Sequence, residues 1–269
     1  MLAICCVKQV PDTTQVRIDP KTNTLVREGV PFIMNPFDTH ALEEALRLKE
    51  DYGFHVAVIS MGPPNTVSML RQAIAMGADE AVLLCDRAFA GADTLATSMA
   101  LSETIRRLGE RDEVGVVLCG RQTIDGDTAQ VGPGIATRLG LTQLTLVEQI
   151  EEIDLAKRRV TVRRRLEGRR ERVEAPLPSL ITVTRKINRL RYPTVPRRLM
   201  AEDALVTTWS NQELQLCEET IGLKGSPTQV RKIFSPERAR SEIVGDGIAD
   251  PEGTVGLLID RMVSRGLLQ

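Results

Sequence analysis

The sequence predicts an α/β fold: a doubly wound, mostly parallel sheet with an antiparallel strand extension and a C-terminal arm ending in a helix. Three observations carry this. Short apolar runs alternate with amphipathic stretches through the first half of the 269 residues. From about Leu144 the pattern changes to strand-length segments joined by tight turns. Residues 222–236 are rich in Gly, Pro, Ser and Lys and lack periodicity, and an amphipathic segment closes the chain.

Residues 2–7 form an unbroken apolar run, as a strand buried on both faces does. Residues 16–18 and 24–27 flank Asp19-Pro20-Lys21-Thr22-Asn23 and read as a hairpin excursion. Asn35 suits a helix N-cap, Pro36 the first helical position and Asp38 the first turn. Ala41, Leu42, Ala45, Leu46 and Leu48 give that helix its apolar stripe. A strand at 54–60 and a helix at about 64–76 follow, the helix stopped at Gly77 in a left-handed cap. Residues 80–85 read as a strand, 93–108 as a helix capped by Asp93 or Thr94, and a further strand opens at Val114. Segments 144–153, 159–166, 169–174 and 180–184 read as strands of an antiparallel extension. The chain then turns irregular through Tyr192-Pro193-Thr194-Val195-Pro196, and Trp209 is expected to anchor the arm. The final helix places Val255, Leu258, Ile259, Met262 and Val263 on one side, a face for a partner chain or for its own domain. The expected domains are 1–190, a connector at 191–221, and an arm at 222–269.

Composition excludes several functions. Aromatic residues make up 3%, too few for base-stacking platforms, and a net charge of −1 argues against a polyanion-binding surface. The arginines of 158–172 alternate with Val160, Val162 and Leu166, the pattern of a half-buried strand with a solvated basic face suited to an acidic partner. No apolar run approaches the roughly 20 residues of a membrane span. The first strand opens at Leu2, which leaves no leader and makes a cytoplasmic location the expectation. Cys5, Cys6, Cys85, Cys119 and Cys217 form no C-x-x-C pair and lie mostly in apolar runs, as buried thiols in a reducing compartment do. His40 and His55 are isolated, so no metal site is expected.

Residues 119–134 carry the strongest signal. An apolar strand leads into a polar, Gly-containing turn and then a helix, whose first amides and positive dipole end suit a phosphate. Gly126 permits a tight turn and close approach of a ligand. Asp125, Asp127, Thr128 and Gln130 are able to serve ribose hydroxyls, cap the helix or hold a phosphate oxygen. The alternative is an ordinary strand-to-helix turn capped by Asp127 or Thr128, for neither G-x-G-x-x-G nor a Walker lysine is present. Cys6, Met61 and Cys119 each lie at the carboxyl end of a predicted strand, where open parallel sheets bind ligands. The pattern implies an adenine nucleotide held by backbone groups.

The string 119–134 resembles the nucleotide-binding motif of electron transfer flavoprotein beta subunits, whose fold is Rossmann-like. Cys6-Val7-Lys8-Gln9-Val10-Pro11-Asp12, Met34-Asn35-Pro36-Phe37-Asp38, Ala75-Met76-Gly77-Ala78-Asp79 and Arg191-Tyr192-Pro193-Thr194-Val195-Pro196 match as well, in the same order. The resemblance implies that Cys6, Asn35, Pro36, Phe37, Asp38, Met61, Gly120, Arg121, Gln122, Thr123, Ile124, Asp125, Gly126, Asp127, Thr128, Ala129, Gln130 and Val131 surround the nucleotide. Asp93 and Thr94, at another helix start, are expected to line the same crevice.

Two branches of that family differ in the ligand. Conventional carriers hold a structural AMP. Electron-bifurcating members hold FAD, which takes hydride from NADH and divides the electrons between ferredoxin or flavodoxin and the alpha subunit's FAD. The alpha subunit in turn serves an acyl-CoA dehydrogenase or quinone reductase. The small residues Gly126 and Ala129 resemble the bifurcating branch. By the same resemblance Tyr192, Pro193, Thr194, Val195 and Pro196 form the loop that docks the dehydrogenase, with Val195 as its apolar tip. No residue of the sequence is required to act as a general acid or base. A non-redox adenine-nucleotide module is the rival of another class, and it has little use for such a loop or for a long arm.

Overall fold

In the computed structural model, which describes residues 1–12, 31–231 and 243–268, the alternating apolar runs of the first half become a wound sheet. The hairpin expected at 16–27 lies outside the described residues. The chain divides into two compact units, the first taking residues up to Arg231 and the second the C-terminal segment.

Strand β1 (Leu2–Cys6) is buried throughout. Its side chains alternate between two cores: Ala3 and Cys5 face one cluster, Leu2, Ile4 and Cys6 the other. A short antiparallel pair, β2 (Gln9–Pro11) and β3 (Phe32–Met34), leads to α1 (Pro36–Tyr52). β4 (His55–Met61), a 3-10 turn at Pro64–Thr66, α2 (Val67–Met76), β5 (Glu80–Leu84), α3 (Thr94–Gly109), β6 (Val114–Gly120) and α4 (Val131–Leu139) continue the alternation. Gly77 ends α2 with φ 133°, and Asp93 caps α3 as expected, its carboxylate accepting from Leu95 N and Ala96 N.

The second half comprises β7 (Thr142–Asp154), β8 (Arg159–Leu166), β9 (Arg169–Pro176), β10 (Ser179–Val183), α5 (Val195–Glu202), β11 (Thr207–Trp209) and α6 (Asn211–Leu214). Among the described residues the main sheet runs β11-β5-β4-β1-β6-β10-β7-β8-β9. Strands β1, β4, β5, β6, β10 and β11 pair in parallel, and only β7, β8 and β9 pair antiparallel to one another.

Three expectations change. The strand expected at 180–184 within the antiparallel extension is β10, parallel to both β6 and β7. An apolar run reads alike in either direction, and only the neighbours decide. The irregular stretch after Arg185 contains a helix, α5, with Pro196 in its first turn and packed near α2. Trp209 ends an edge strand beside β5 and packs on the α3–α4 side core of the first unit. In the extension, the arginines are neutralised by neighbouring acids: Glu148 takes Arg165 and Arg170, Glu151 takes Arg163 and Arg172, and Glu171 takes Arg164 and Arg169.

In the second unit, α7 (Pro251–Ser264) begins at Asp250, whose side chain accepts from Gly253 N. Its Val255, Leu258, Ile259 and Val263 remain about half exposed. No helix among the described residues is long and apolar enough to cross a membrane.

Candidate functional site: a crevice between two central strands

Strand order reverses between β1 and β6, since β1 leads by α1 to β4 on one side and β6 is reached by α3 on the other. The crevice outside their carboxyl ends is where a doubly wound sheet accepts a ligand. Cys6 and Cys119 are register partners there. Met61 ends the adjoining β4 and packs on the same side core.

Asn35 sits at the N-cap of α1 but caps nothing with its side chain. It is fully buried, and its amide reaches across to the loop after β6. Nδ2 donates to Gln122 O at 2.9 Å, and Oδ1 accepts from Ile124 N at 3.2 Å. Asp38 makes a second staple one turn on. Its carboxylate accepts Lys8 N at 2.8 Å and Gly120 N at 3.1 Å, joining the ends of β1 and β6. Gly120 admits this approach because a Cβ there would run into Asp38 Oδ1 and come within 2.7 Å of the Phe37 backbone. Phe37 in turn lies under two guanidinium groups, Arg185 at 4.7 Å and Arg121 at 5.6 Å from the ring centroid.

The loop closes on itself. Asp127 N donates to Thr123 O at 2.9 Å, and Gln122 Nε2 to Asp127 Oδ1 at 2.6 Å. Asp127 and Ala129 adopt left-handed backbone, at φ 50° and 56°, while Gly126 does not. The turn thus places its strain on two non-glycine residues, a conformation that costs about 1 kcal/mol for alanine. Such strain clusters where a ligand is held. The next helix begins at Val131 with Gln130 as cap residue, three residues beyond Thr128, so neither Asp127 nor Thr128 caps it. Pro133 supplies no N–H and Gly134 N donates to Gln130 O. Among the described residues Val131 N and Gly132 N have no hydrogen-bond acceptor, which leaves them for an anion. Gly132 and Gly134 let α4 pack tightly: a Cβ would meet Thr182 and Ser98 at 2.9 Å.

Thr94 Oγ1 meets Gln130 Oε1 at 3.2 Å, which brings the start of α3 to the start of α4. Asp93 is engaged on both carboxylate oxygens, by its cap and by Thr228. Lys8, absent from the expected site residues, pairs with Asp125 at 2.6 Å. Its position two residues beyond Cys6 was the available signal. Burial works against the Asp125 charge, yet hydrogen bonds from Lys8 and Thr123 hold its carboxyl below the usual range. Lys8 is thus charge-paired with Asp125 at the crevice, while Arg121 and Arg185 stand over Phe37.

Burial pushes the Asp38 carboxyl up to about 7, against the hydrogen bonds of Asn35, Lys8 and Gly120. A hydrogen bond to Cys6 and burial push the Cys119 thiol up, and burial beside Asp38 does the same for Cys5, so both thiols stay neutral and unreactive. For Asp38 the folded state binds the proton more tightly than the unfolded chain, whose carboxyl titrates at 3.8. Its contribution to stability is present below 3.8 and is lost as pH rises to about 7. Asp38→Asn removes this dependence. Between pH 5 and pH 8 the variant's urea-unfolding free energy is expected to gain about 2–3 kcal/mol on the parent. A constant difference across that range would show that Asp38 does not titrate there.

An open groove of about 870 Å³ lies elsewhere, bordered by Gln9, Phe32, Met69, Tyr192 and Arg198. It adjoins α5, α2 and the β2–β3 pair. No cluster of three or more potential metal-ligating side chains occurs among the described residues.

Comparison with known proteins agrees with this geometry. The family model described as the electron transfer flavoprotein domain matches residues 22–214. The chain is 47% identical over 255 residues to Protein FixA of Azotobacter vinelandii, covering 94% of this chain and 91% of that protein. It is 49% identical over 246 residues to the electron transfer flavoprotein subunit beta of Clostridium acetobutylicum, covering 91% and 92%. It is 48% identical over 237 residues to the caffeyl-CoA reductase-Etf complex subunit CarD of Acetobacterium woodii, covering 88% of each. A doubly wound sheet with a stapled, amide-lined crevice, matched across nine-tenths of its length to such relatives, belongs to the electron transfer flavoprotein family, with the beta subunits and FixA proteins.

Proposed function

We propose that this chain is the beta subunit of a heterodimeric electron transfer flavoprotein and holds FAD in the β1–β6 crevice. NADH is the electron donor in this reading. The acceptors are a low-potential carrier such as ferredoxin or flavodoxin and, through an alpha subunit, an acyl-CoA dehydrogenase-type flavoenzyme. The observation that carries it is the contrast between two glycines. Gly120 is demanded by the chain's own packing. Gly126 is not, since a Cβ there meets only Thr123 Oγ1, at 3.5 Å. Its small size, with that of Ala129 three residues on, fits a ligand that occupies the space outside the loop.

The residues present fit that cofactor. Val131 N and Gly132 N offer donors for a diphosphate, Asn35 and Asp38 hold the loop in place, and Gln130 and Thr94 border the same edge. When bound, FAD supplies hydride acceptance and one-electron transfer. The chain's part is to bind and orient it. The name of the CarD relative places that protein in a complex with a CoA-thioester reductase, and an association of that kind is proposed here too. AMP is the second reading, because two free amides also suffice for a single phosphate.

Acid release of nucleotide from the purified heterodimer decides between them. Two FAD and no AMP per heterodimer are expected, whereas one of each would replace this reading by the second. Gly126→Val is expected to weaken beta-side nucleotide binding at least about tenfold by filling the ligand's space, at an unchanged urea midpoint. Full occupancy in that variant would move the ligand off this loop.

A further inference from the structure

Helix α1 carries the crevice on its first turn and, further along, a separate set of buried acids. Glu43 and Glu44 are 4% and 3% exposed. Arg191 is folded onto Glu43: its backbone N donates to Oε2 at 3.0 Å, Nε to Oε2 at 2.9 Å, and Nη2 to Oε1 at 3.0 Å. The same guanidinium reaches Glu50, through Nη1 at 2.5 Å and Nη2 at 3.0 Å. Three residues earlier, Asn188 Nδ2 donates to His40 O at 2.9 Å and to Glu44 Oε2 at 3.0 Å. The segment 188–191 is thus fastened to α1 at both ends.

Beyond Arg191 the apolar side chains stand in solvent. Tyr192 is 89% accessible, Val195 69% and Met200 78%. Helix α5 leans on α2 through Arg197 Nη1, which donates to Met76 O at 3.4 Å, and Arg71 Nε, which donates to Ala204 O at 3.2 Å. The half-buried, multiply bonded contact lies at Arg191, immediately before the exposed side chains. A planar guanidinium held by two carboxylates fixes a direction as well as a distance, which a point charge does not.

We propose that Arg191, clamped between Glu43 and Glu50, is a positioning residue that sets how α5 presents its apolar side chains to a partner flavoenzyme. This rests on the reading of Tyr192–Pro196 as the docking loop. Arg191 touches no reacting atom; it acts through the backbone it holds.

The test uses the heterodimer and a purified acyl-CoA dehydrogenase, with the dehydrogenase concentration varied. Arg191→Lys is expected to raise KM for the dehydrogenase about tenfold and to leave kcat within about twofold. Hydrogen exchange in residues 195–202 is expected to quicken about tenfold while β1 and β6 keep their protection. Glu50→Gln, which leaves the Glu43 contact in place, is a milder variant and is expected to shift KM by about threefold. An unchanged KM in both variants, or loss of kcat together with protection in β1 and β6, overturns the assignment. Val195→Asp separates the two levels of inference. If it raises KM and Arg191→Lys does not, the docking loop stands and the positioning role falls. If it leaves KM unmoved, the docking reading fails and the positioning role with it.

Discussion

Asn35→Ala is expected to weaken nucleotide binding about 100-fold. The side chain is fully buried and its two hydrogen bonds serve backbone groups of the loop, Gln122 O and Ile124 N. Stripped of their buried partner Asn35, each group loses about 1–3 kcal/mol. The loop relieves part of that by moving, so about 3 kcal/mol, or roughly 100-fold in an equilibrium constant, is the expected net loss. Asn35→Asp is the sharper control. It keeps an acceptor for Ile124 N, offers no donor to Gln122 O, and adds a second buried acid beside Asp38. Titration of FAD and, separately, AMP into stripped heterodimer reads both variants. Parent-like affinity in Asn35→Ala would mean that the loop holds its shape without the staple.

The second large effect concerns the fold itself. Gly120→Ala is expected to lose about 3 kcal/mol of stability, since overpacking a tight site typically costs about 1–3 kcal/mol and a hydrogen bond is lost with it. The added methyl would press on Asp38 Oδ1 and on the Phe37 main chain. Neither yields easily, for Asn35 and Asp38 pin the start of α1 to the very strand end being altered. Gly126→Ala makes the comparison internal: its nearest obstacle is a hydroxyl at 3.5 Å, so its urea midpoint should stay with the parent or rise slightly. If the two alanines behaved alike, the close approach at Gly120 would not be what the fold depends on.

Much of the first half was legible because local signals agreed there. An apolar run, a capping residue, an apolar stripe and a terminal glycine each pointed to the same element for β1, α1, β4, α2 and α3. Asn35 shows where local reading ends. Its type and place were those of an N-cap, but its hydrogen-bond partners lie 87 and 89 residues away. A propensity cannot contain such a partner. The same limit hid the direction and place of β10, a strand expected at 180–184 whose position between β6 and β7 is a property of the assembled sheet. β11 is three residues long, too short for any periodicity. At α5, two prolines and an exposed apolar surface resembled a loop, although Pro196 suits a first helical turn. Of the residues the structure brings to the crevice, those of the strand-turn-helix string and the start of α1 were in the expected set, whereas Lys8 and Arg185 were not.

The position of β10 also bears on how the polypeptide is made. As the chain leaves the ribosome, β6 is complete long before Ser179 emerges, and in between come α4 and the whole Arg/Glu ladder. At roughly 5–20 residues per second, the flank of β6 waits several seconds with its amides and carbonyls unmated. A nascent sheet with an open side is a template for the wrong strand, and β7 is synthesised first. Premature β6–β7 zipping would then shut out Ser179–Val183, so chaperone demand during translation should concentrate in that interval.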